Sequence, residues 1–380
     1  MKVSNMNIPY NTEHAKKLEG LKYGNKNNSN IRCRDPFIMP YGGKYYFYQT
    51  ATEHDCKGIV CYVSDDLQNW SDPVMVFTPP ENFHGVKNFF WAPECHYYKG
   101  NFYIFTSVFS SRFNHRTISV YRADNPLGPF EDIADGAISP RDWDAIDGTL
   151  YIDKQNNPWL VFVHEWTCMP DNNGSMVAAK LSEDFTHLIS EPIHLFYAKD
   201  PAWATAGVTD GPYLYREDDG TLMMIWSNFS EKGYVVSQMR SQSGEIEGPW
   251  EQAPMLYQRE LCENFTADGG HGMIFQRKDG AFMLSLHSPQ RLKEGEFEKL
   301  LLLEVEDGEG CIKLKYQSKT KDSRAANPLG SFFLYPVAFV CASRAIFSAD
   351  LPCARAVLKI AKRRRVRRLP RAALRFATRL

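Results

Sequence analysis

The 380-residue chain lacks the short signatures of several large enzyme classes: it has no Walker loop, no GxGxxG, no HExxH and no GxSxG. Nucleotide binding, zinc proteolysis and the serine-hydrolase elbow are therefore without a sequence basis. No stretch reaches the roughly 18 apolar residues of a membrane span, and the opening "MKVSNMNIPYNTEHAKKLEG" has no apolar signal core. The expectation is a cytoplasmic protein with no membrane span. Nine cysteines, an odd number with no CxxC pair, fit neither a disulfide framework nor a structural zinc site, and read as free thiols. Helical periodicity is nearly absent before residue 330, which disfavours an α/β fold.

Net charge is also small, -1 overall, but it conceals an asymmetry. Residues 320 to 380 hold 14 Lys/Arg and 2 Asp/Glu, which leaves 30 basic and 43 acidic residues in the remainder. An acidic body is not expected to bind nucleic acid or an anionic membrane. The basic end, with "SFFLYPVAFVCA" and "KIAKRRRVRRLPRAALRFATRL", reads as a segment outside the main domain. It is either an amphipathic tail suited to anionic surfaces or a stretch where the reading frame changes.

What is present is a repeat. The segments "RDPFIMPYGGKYYFYQT", "WAPECHYYKGNFYIFTSVF", "IDGTLYIDKQNNPWLVFVHEW", "VTDGPYLYREDDGTLMMIWSNF" and "GGHGMIFQRKDGAFMLSLHS" share one grammar. Each starts with a polar residue beside Pro or Gly, runs into a short strand, turns, and returns through β-branched and aromatic residues, which is a hairpin. A third strand follows each hairpin, and a weaker fourth completes the unit, least clearly in the second. Five four-stranded units predict an all-β chain folded as a five-bladed β-propeller, with four-stranded antiparallel blades around a central channel. The competing arrangement is a β-sandwich. The expected organisation is an N-terminal extension over 1–30, the propeller over 31–318 and the basic tail over 319–380.

First strands of a propeller line the channel, so the residues that head them should converge at one mouth: Asp35, Glu94, Asp147, Asp210 and His271. Gathered carboxylates raise one another's pKa at a cost in stability, which a site needing one ionised and one protonated carboxyl group would justify. The second strands end at the same mouth, bringing His164, Glu165, Trp166, Asn228 and His287. Aromatic, amide and imidazole groups around carboxylates suit a sugar, and a carboxylate pair suits glycoside hydrolysis.

In order and spacing, "RDPF", "WAPE", "IDGTLYID", "TDGPYLY" and "DGGHGMIF" resemble the motifs of glycoside hydrolase family 43, over roughly residues 30 to 317. The resemblance implies a five-bladed propeller that cleaves arabinose- or xylose-containing glycans with inversion and no organic cofactor. It implies Asp35 as the general base and Asp147 as the residue that orients the acid and tunes its pKa. The family usually reads Glu-Gly-Pro at the acid position, whereas this chain reads Asp-Gly-Pro at 210 to 212, one methylene shorter. Asp210 and Glu165 are thus both candidates for the proton donor. Trp91, Glu94, His164, Trp166, Asn228 and His287 are expected around the substrate. His271 matches a histidine that in arabinanase-like members faces calcium or another ion through water. The expected activity is hydrolysis of terminal α-L-arabinofuranosyl or β-D-xylosyl linkages in an oligosaccharide or polysaccharide. The alternatives are a fructosidase or phosphorylase on the same fold, and a sugar-binding propeller without catalysis.

Overall fold

The computed structural model describes residues 12–50, 56–262, 264–308 and 310–315. The expected tail over 319–380 lies outside them. Five four-stranded antiparallel sheets follow one another along the chain, each built from consecutive strands except the first, where Asn69–Ser71 intervenes before the fourth strand. The first blade is Phe37–Tyr41, Lys44–Tyr48, Ile59–Ser64 and Val74–Phe77. The second is Trp91–Tyr98, Asn101–Ser110, His115–Ala123 and Glu131–Asp132, the last only two residues long, as its faint sequence signal implies. The third is Ala145–Ile152, Pro158–His164, Ser175–Lys180 and Ile193–Tyr197. The fourth is Asp210–Arg216, Leu222–Ser230, Gly233–Ser241 and Trp250–Tyr257. The fifth is Gly270–Gln276, Phe282–Ser288, Lys299–Asp307 and Ile312–Leu314. The sequence reading missed a short pair outside the blades, in which Tyr23–Asn27 runs antiparallel to Asn69–Ser71. It also missed a helix, Thr12–Glu19, whose buried His14 contacts the Tyr46 hydroxyl.

Middle strands are sandwiched between neighbouring blades and lose the usual in/out alternation. Seven of the nine residues of "LMMIWSNFS" are buried without a break, whereas the outer strand Trp250–Tyr257 is mostly half-buried or exposed. Hydrophobic wedges fill the junctions between blades. Phe105, Ile118 and Val120 meet Leu160, Phe162 and Val177. Ile146, Val161 and Met176 meet Met224, Trp226 and Met239. Ile225 and Val236 meet Ile274, Leu284 and Val305. The largest wedge joins the first two blades to Met273, Phe275, Met283 and Leu300 of the fifth, and so closes the ring. Closure needs no exchanged strand: the Cys33 N–H donates to Glu298 O at 2.8 Å, and the Ser285 hydroxyl donates to Pro36 O at 3.1 Å.

Candidate active site

Every first strand begins with the same distortion. Asp35, Ala92, Asp147, Gly211 and His271 all have positive φ, between 42° and 54°, and the four lying within strands fall inside register shifts next to the second strand. A left-handed residue in a bulge turns its N–H out of the ladder. In all five cases that N–H is taken up by a side chain of the preceding blade or, once, of its first strand. Asp35 donates to His287 Nδ1 (3.2 Å), Ala92 to Thr50 Oγ1 (2.7 Å), Asp147 to Ser107 Oγ (2.9 Å) and His271 to Ser227 Oγ (2.8 Å). Gly211 donates to Asp147 Oδ2 (3.0 Å). Adjacent blades are thus tied together at the channel mouth, through bulged residues that include Asp35, Asp147 and His271 of the site.

These bulges correct the sequence alignment of the repeat. The equivalent positions are Asp35, Ala92, Asp147, Gly211 and His271, so Asp210 precedes its blade's turning point by one residue and Glu94 follows its own by two. Glu94 lies further along the strand, buried, with Oε2 3.0 Å from His96 Nε2. Gly211 is required here twice over: its φ is +52°, and a Cβ would stand 2.8 Å from the His271 ring.

Three carboxylates and one imidazole form the centre. His271 Nδ1 lies 3.3 Å from Asp35 Oδ1 and 3.7 Å from Asp147 Oδ2. Burial opposes the charged form of His271, but Asp35, Asp147 and Asp210 outweigh it and raise its pKa. Burial likewise opposes ionisation of Asp35, yet His271 and Arg34, together with the Thr50 hydroxyl at 2.5 Å, bring it down to about 2. His287 is pushed by burial to about 4 and is neutral at pH 7. Its Nδ1 accepts from Asp35 N–H, so its proton sits on Nε2 and is donated to Gln290 Oε1 at 2.6 Å. Asp210 moves the opposite way. Burial and the neighbouring Asp147 raise it to about 7, against His271 and a hydroxyl hydrogen bond from Tyr234 at 2.7 Å. Asp147 is raised by burial and by Asp35, with His271 opposing. Near pH 7 the site therefore holds an ionised Asp35 and an Asp147–Asp210 pair in which Asp210 is the group that keeps a proton longer.

Glu165 is not in that group. Its backbone N–H donates to Asp144 O at 2.8 Å and its carboxylate lies 4.0 Å from the Arg116 guanidinium. Burial raises its pKa while Arg116 lowers it. Arg116 also covers one face of Trp91, 3.7 Å from the ring centroid, leaving only the other face for a ligand. His164 stacks on Trp143 at 3.9 Å, and half-buried Trp166 packs against the hydrophobic wedge between the third and fourth blades. Asn228, expected to bind substrate, is fully buried, and its amide is used on backbone: Nδ2 donates to Ala198 O and Ala206 O, and Oδ1 accepts from Phe229 N–H. That network holds the loop before Asp210. His287, also expected to bind substrate, instead supports Asp35.

The sequence reading did not single out Thr50, Ser107, Ser227 and Tyr234. A signal existed for the first three, since Thr50 stands just past the second strand of its unit and Ser107 and Ser227 each stand three residues before the end of theirs. Thr50→Val should cost about 1–3 kcal/mol by stranding the Ala92 N–H, seen as a lower urea midpoint, with Thr50→Ser close to wild type. A valine with an unchanged midpoint would show that the tie contributes nothing.

Among the described residues no group of three or more His, Cys, Asp and Glu side chains could hold a metal ion. Because His271 Nδ1 is turned to Asp35 and Asp147, a direct protein ligand set for calcium does not fit here. An ion at the axis would have to be held through water. No helix among the described residues is long and apolar enough to cross a membrane.

Five blades with carboxylates of opposed protonation at one channel mouth define a class, the carbohydrate-active propellers. The chain belongs to glycosyl hydrolase family 43, whose model matches residues 29–302. It is similar to a solved endo-arabinase from Bacteroides thetaiotaomicron, with 34% identity, a TM-score of 0.66, and coverage of 75% of this chain and 98% of that one. An extracellular exo-α-(1→5)-L-arabinofuranosidase of Cellvibrio japonicus is 25% identical over 74% of this chain and 85% of its own length. An extracellular endo-α-(1→5)-L-arabinanase of Bacillus subtilis is 29% identical over 37% of this chain, and the match spans only 45% of that relative.

Proposed function

We propose that this chain hydrolyses α-L-arabinofuranosyl linkages of arabinan-type glycans, with inversion at the anomeric carbon. The observation that carries the reading is one buried cluster in which Asp35 faces His271 and the Thr50 hydroxyl while Asp210 stands beside Asp147 under the Tyr234 hydroxyl, an arrangement that pulls the pKa of Asp35 down and pushes that of Asp210 up. Asp35 takes a proton from water as the water attacks the anomeric carbon. Asp210 gives its proton to the departing glycosidic oxygen. Asp147 holds the Gly211 N–H beside the acid and keeps the acid's pKa high. The His271 imidazole lies between the base and Asp147, and their charges favour its protonated form. Xylan-directed proteins of about 25% identity also match, and the choice of arabinose rests on the 34% identical endo-arabinase and the arabinan-directed relatives.

The test is to measure initial rates on linear α-(1→5)-linked arabino-oligosaccharides, aryl α-L-arabinofuranoside and aryl β-D-xyloside, and to follow the first-formed anomer by proton NMR. Turnover of the arabinosides with inverted product is expected. Turnover of the xyloside alone would overturn the choice of sugar, and a requirement for phosphate would mark a phosphorylase. Binding of pentose oligosaccharides with no turnover of any substrate would leave a sugar-binding propeller.

A further inference from the structure

Tyr234 is the second residue of the third strand of the fourth blade, and four contacts fix it. Its ring stacks on His287, with centroids 5.7 Å apart at 24°, and lies 4.9 Å from Phe229. Its N–H donates to Asp268 Oδ2 at 3.2 Å. Its edge fills the space over Gly270, where a Cβ would stand 2.5 Å from Cε1. The side chain is 2% exposed and has one polar atom, which lies 2.7 Å from Asp210 Oδ2. Burial and the Asp210 carboxylate raise the Tyr234 pKa well above its ordinary value, so the hydroxyl keeps its proton and acts as the donor.

We infer that Tyr234 is the positioning residue of the proton donor: by occupying Oδ2 it fixes the Asp210 rotamer and leaves the transferable proton on Oδ1. The inference rests on the reading of Asp210 as the acid. In the protonated acid, Oδ2 is the carbonyl oxygen and accepts a neutral hydrogen bond. When Oδ1–H passes its proton to the glycosidic oxygen, Asp210 becomes a carboxylate and the same bond becomes charge-assisted, hence shorter and stronger. Its gain is realised only as the proton leaves, which is the condition for an interaction to speed the step rather than merely bind substrate. It also supplies what a shorter acid needs. An Asp places its carboxyl one methylene nearer its own backbone, and a rigid hydroxyl behind Oδ2 prevents it from turning away.

The experiment compares wild type with Tyr234→Phe and with 3,5-difluorotyrosine placed at 234. Both replacements keep the ring against His287, while one removes the donor and the other strengthens it. The groups facing Asp210 are Asp147, His271, Tyr234, Asp35 and Arg34, and only Tyr234 is altered. For Tyr234→Phe, kcat on arabino-oligosaccharides should fall about 10- to 100-fold, the range of a hydrogen bond to a charged group. KM should stay nearly constant, and the loss on an aryl arabinoside with a good leaving group should be small. Since the hydroxyl favours the ionised acid, its removal should move the basic limb of the pH profile upward, and the fluorinated residue should move it downward. A purely structural role would lower activity without moving the limb. Carbon-13 NMR titration of Asp210 in wild type and Tyr234→Phe reads the same shift without turnover. If Asp210→Ala shows the acid's leaving-group dependence while Tyr234→Phe leaves kcat and the titration unchanged, the positioning role is overturned and the reading of the acid survives. If Asp210→Ala has no such dependence, both fall.

Discussion

Asp35→Asn is expected to lower the rate on arabino-oligosaccharides by about 10²- to 10⁴-fold, the usual contribution of a general base, while pentose oligosaccharides still bind. An amide cannot take the proton of the attacking water, and activating the leaving group does not replace that function. The loss should therefore be similar on aryl arabinosides and natural oligosaccharides. The pH profile adds a sign. With its pKa near 2, Asp35 is ionised throughout the range above about pH 3, so wild type should show no acid limb from this group between pH 4 and 7. Comparing kcat/KM from pH 4 to 9 for both proteins, with ligand binding by calorimetry, checks the prediction. A variant that retains activity would remove Asp35 from the mechanism. A variant that neither binds nor melts cooperatively would show that the carboxylate is needed to balance His271 and Arg34, a structural role.

Asp210→Ala should behave differently. Loss of a general acid is expected to cost about 10²- to 10⁴-fold on natural linkages and little on aryl arabinosides, whose leaving groups depart without a proton. Asp210 must be protonated to act, and its pKa is raised to about 7. Activity of the wild type on oligosaccharides should thus be level below that value and fall about tenfold per pH unit above it. Asp210→Ala should lack that limb. Glu165→Ala supplies the comparison, since the Glu165 carboxylate faces Arg116, its backbone N–H is bonded to Asp144 O, and it stands outside the carboxylate cluster. It should retain most activity on both substrate types. If the leaving-group pattern instead follows Glu165, the proton donor is Glu165 and Asp210 serves only to raise the charge density around Asp147.

Much of the site was legible because blades are contiguous in the chain. Asp35, Asp147 and Asp210 could be assigned to one channel mouth from the repeat alone, although they are far apart in sequence. Placement was less secure wherever the backbone departs from regular pleating. A bulge at the head of four first strands shifts the register there, so a count along the repeat aligned Glu94 with Asp35 when the equivalent residue is Ala92. The same count put Asn228 and His287 at the substrate, since strand direction says where a residue ends up but not whether its polar atoms are already committed. Both are committed, one to a loop and one to Asp35.

The sequence by itself determined the architecture, because hydrophobic period, turn chemistry and the recurrence of one hairpin grammar are local properties that add up along the chain. Family membership was legible for the same reason, in short motifs with fixed order. Only the tertiary structure decided which carboxylate has its pKa pulled down and which has it pushed up. That difference comes from burial, from the positions of His271 and Arg34 around Asp35, from Asp147 beside Asp210, and from a tyrosine hydroxyl on another strand. Electrostatic energies depend on distances of a few ångströms between groups remote in sequence, and no periodicity along the chain encodes them.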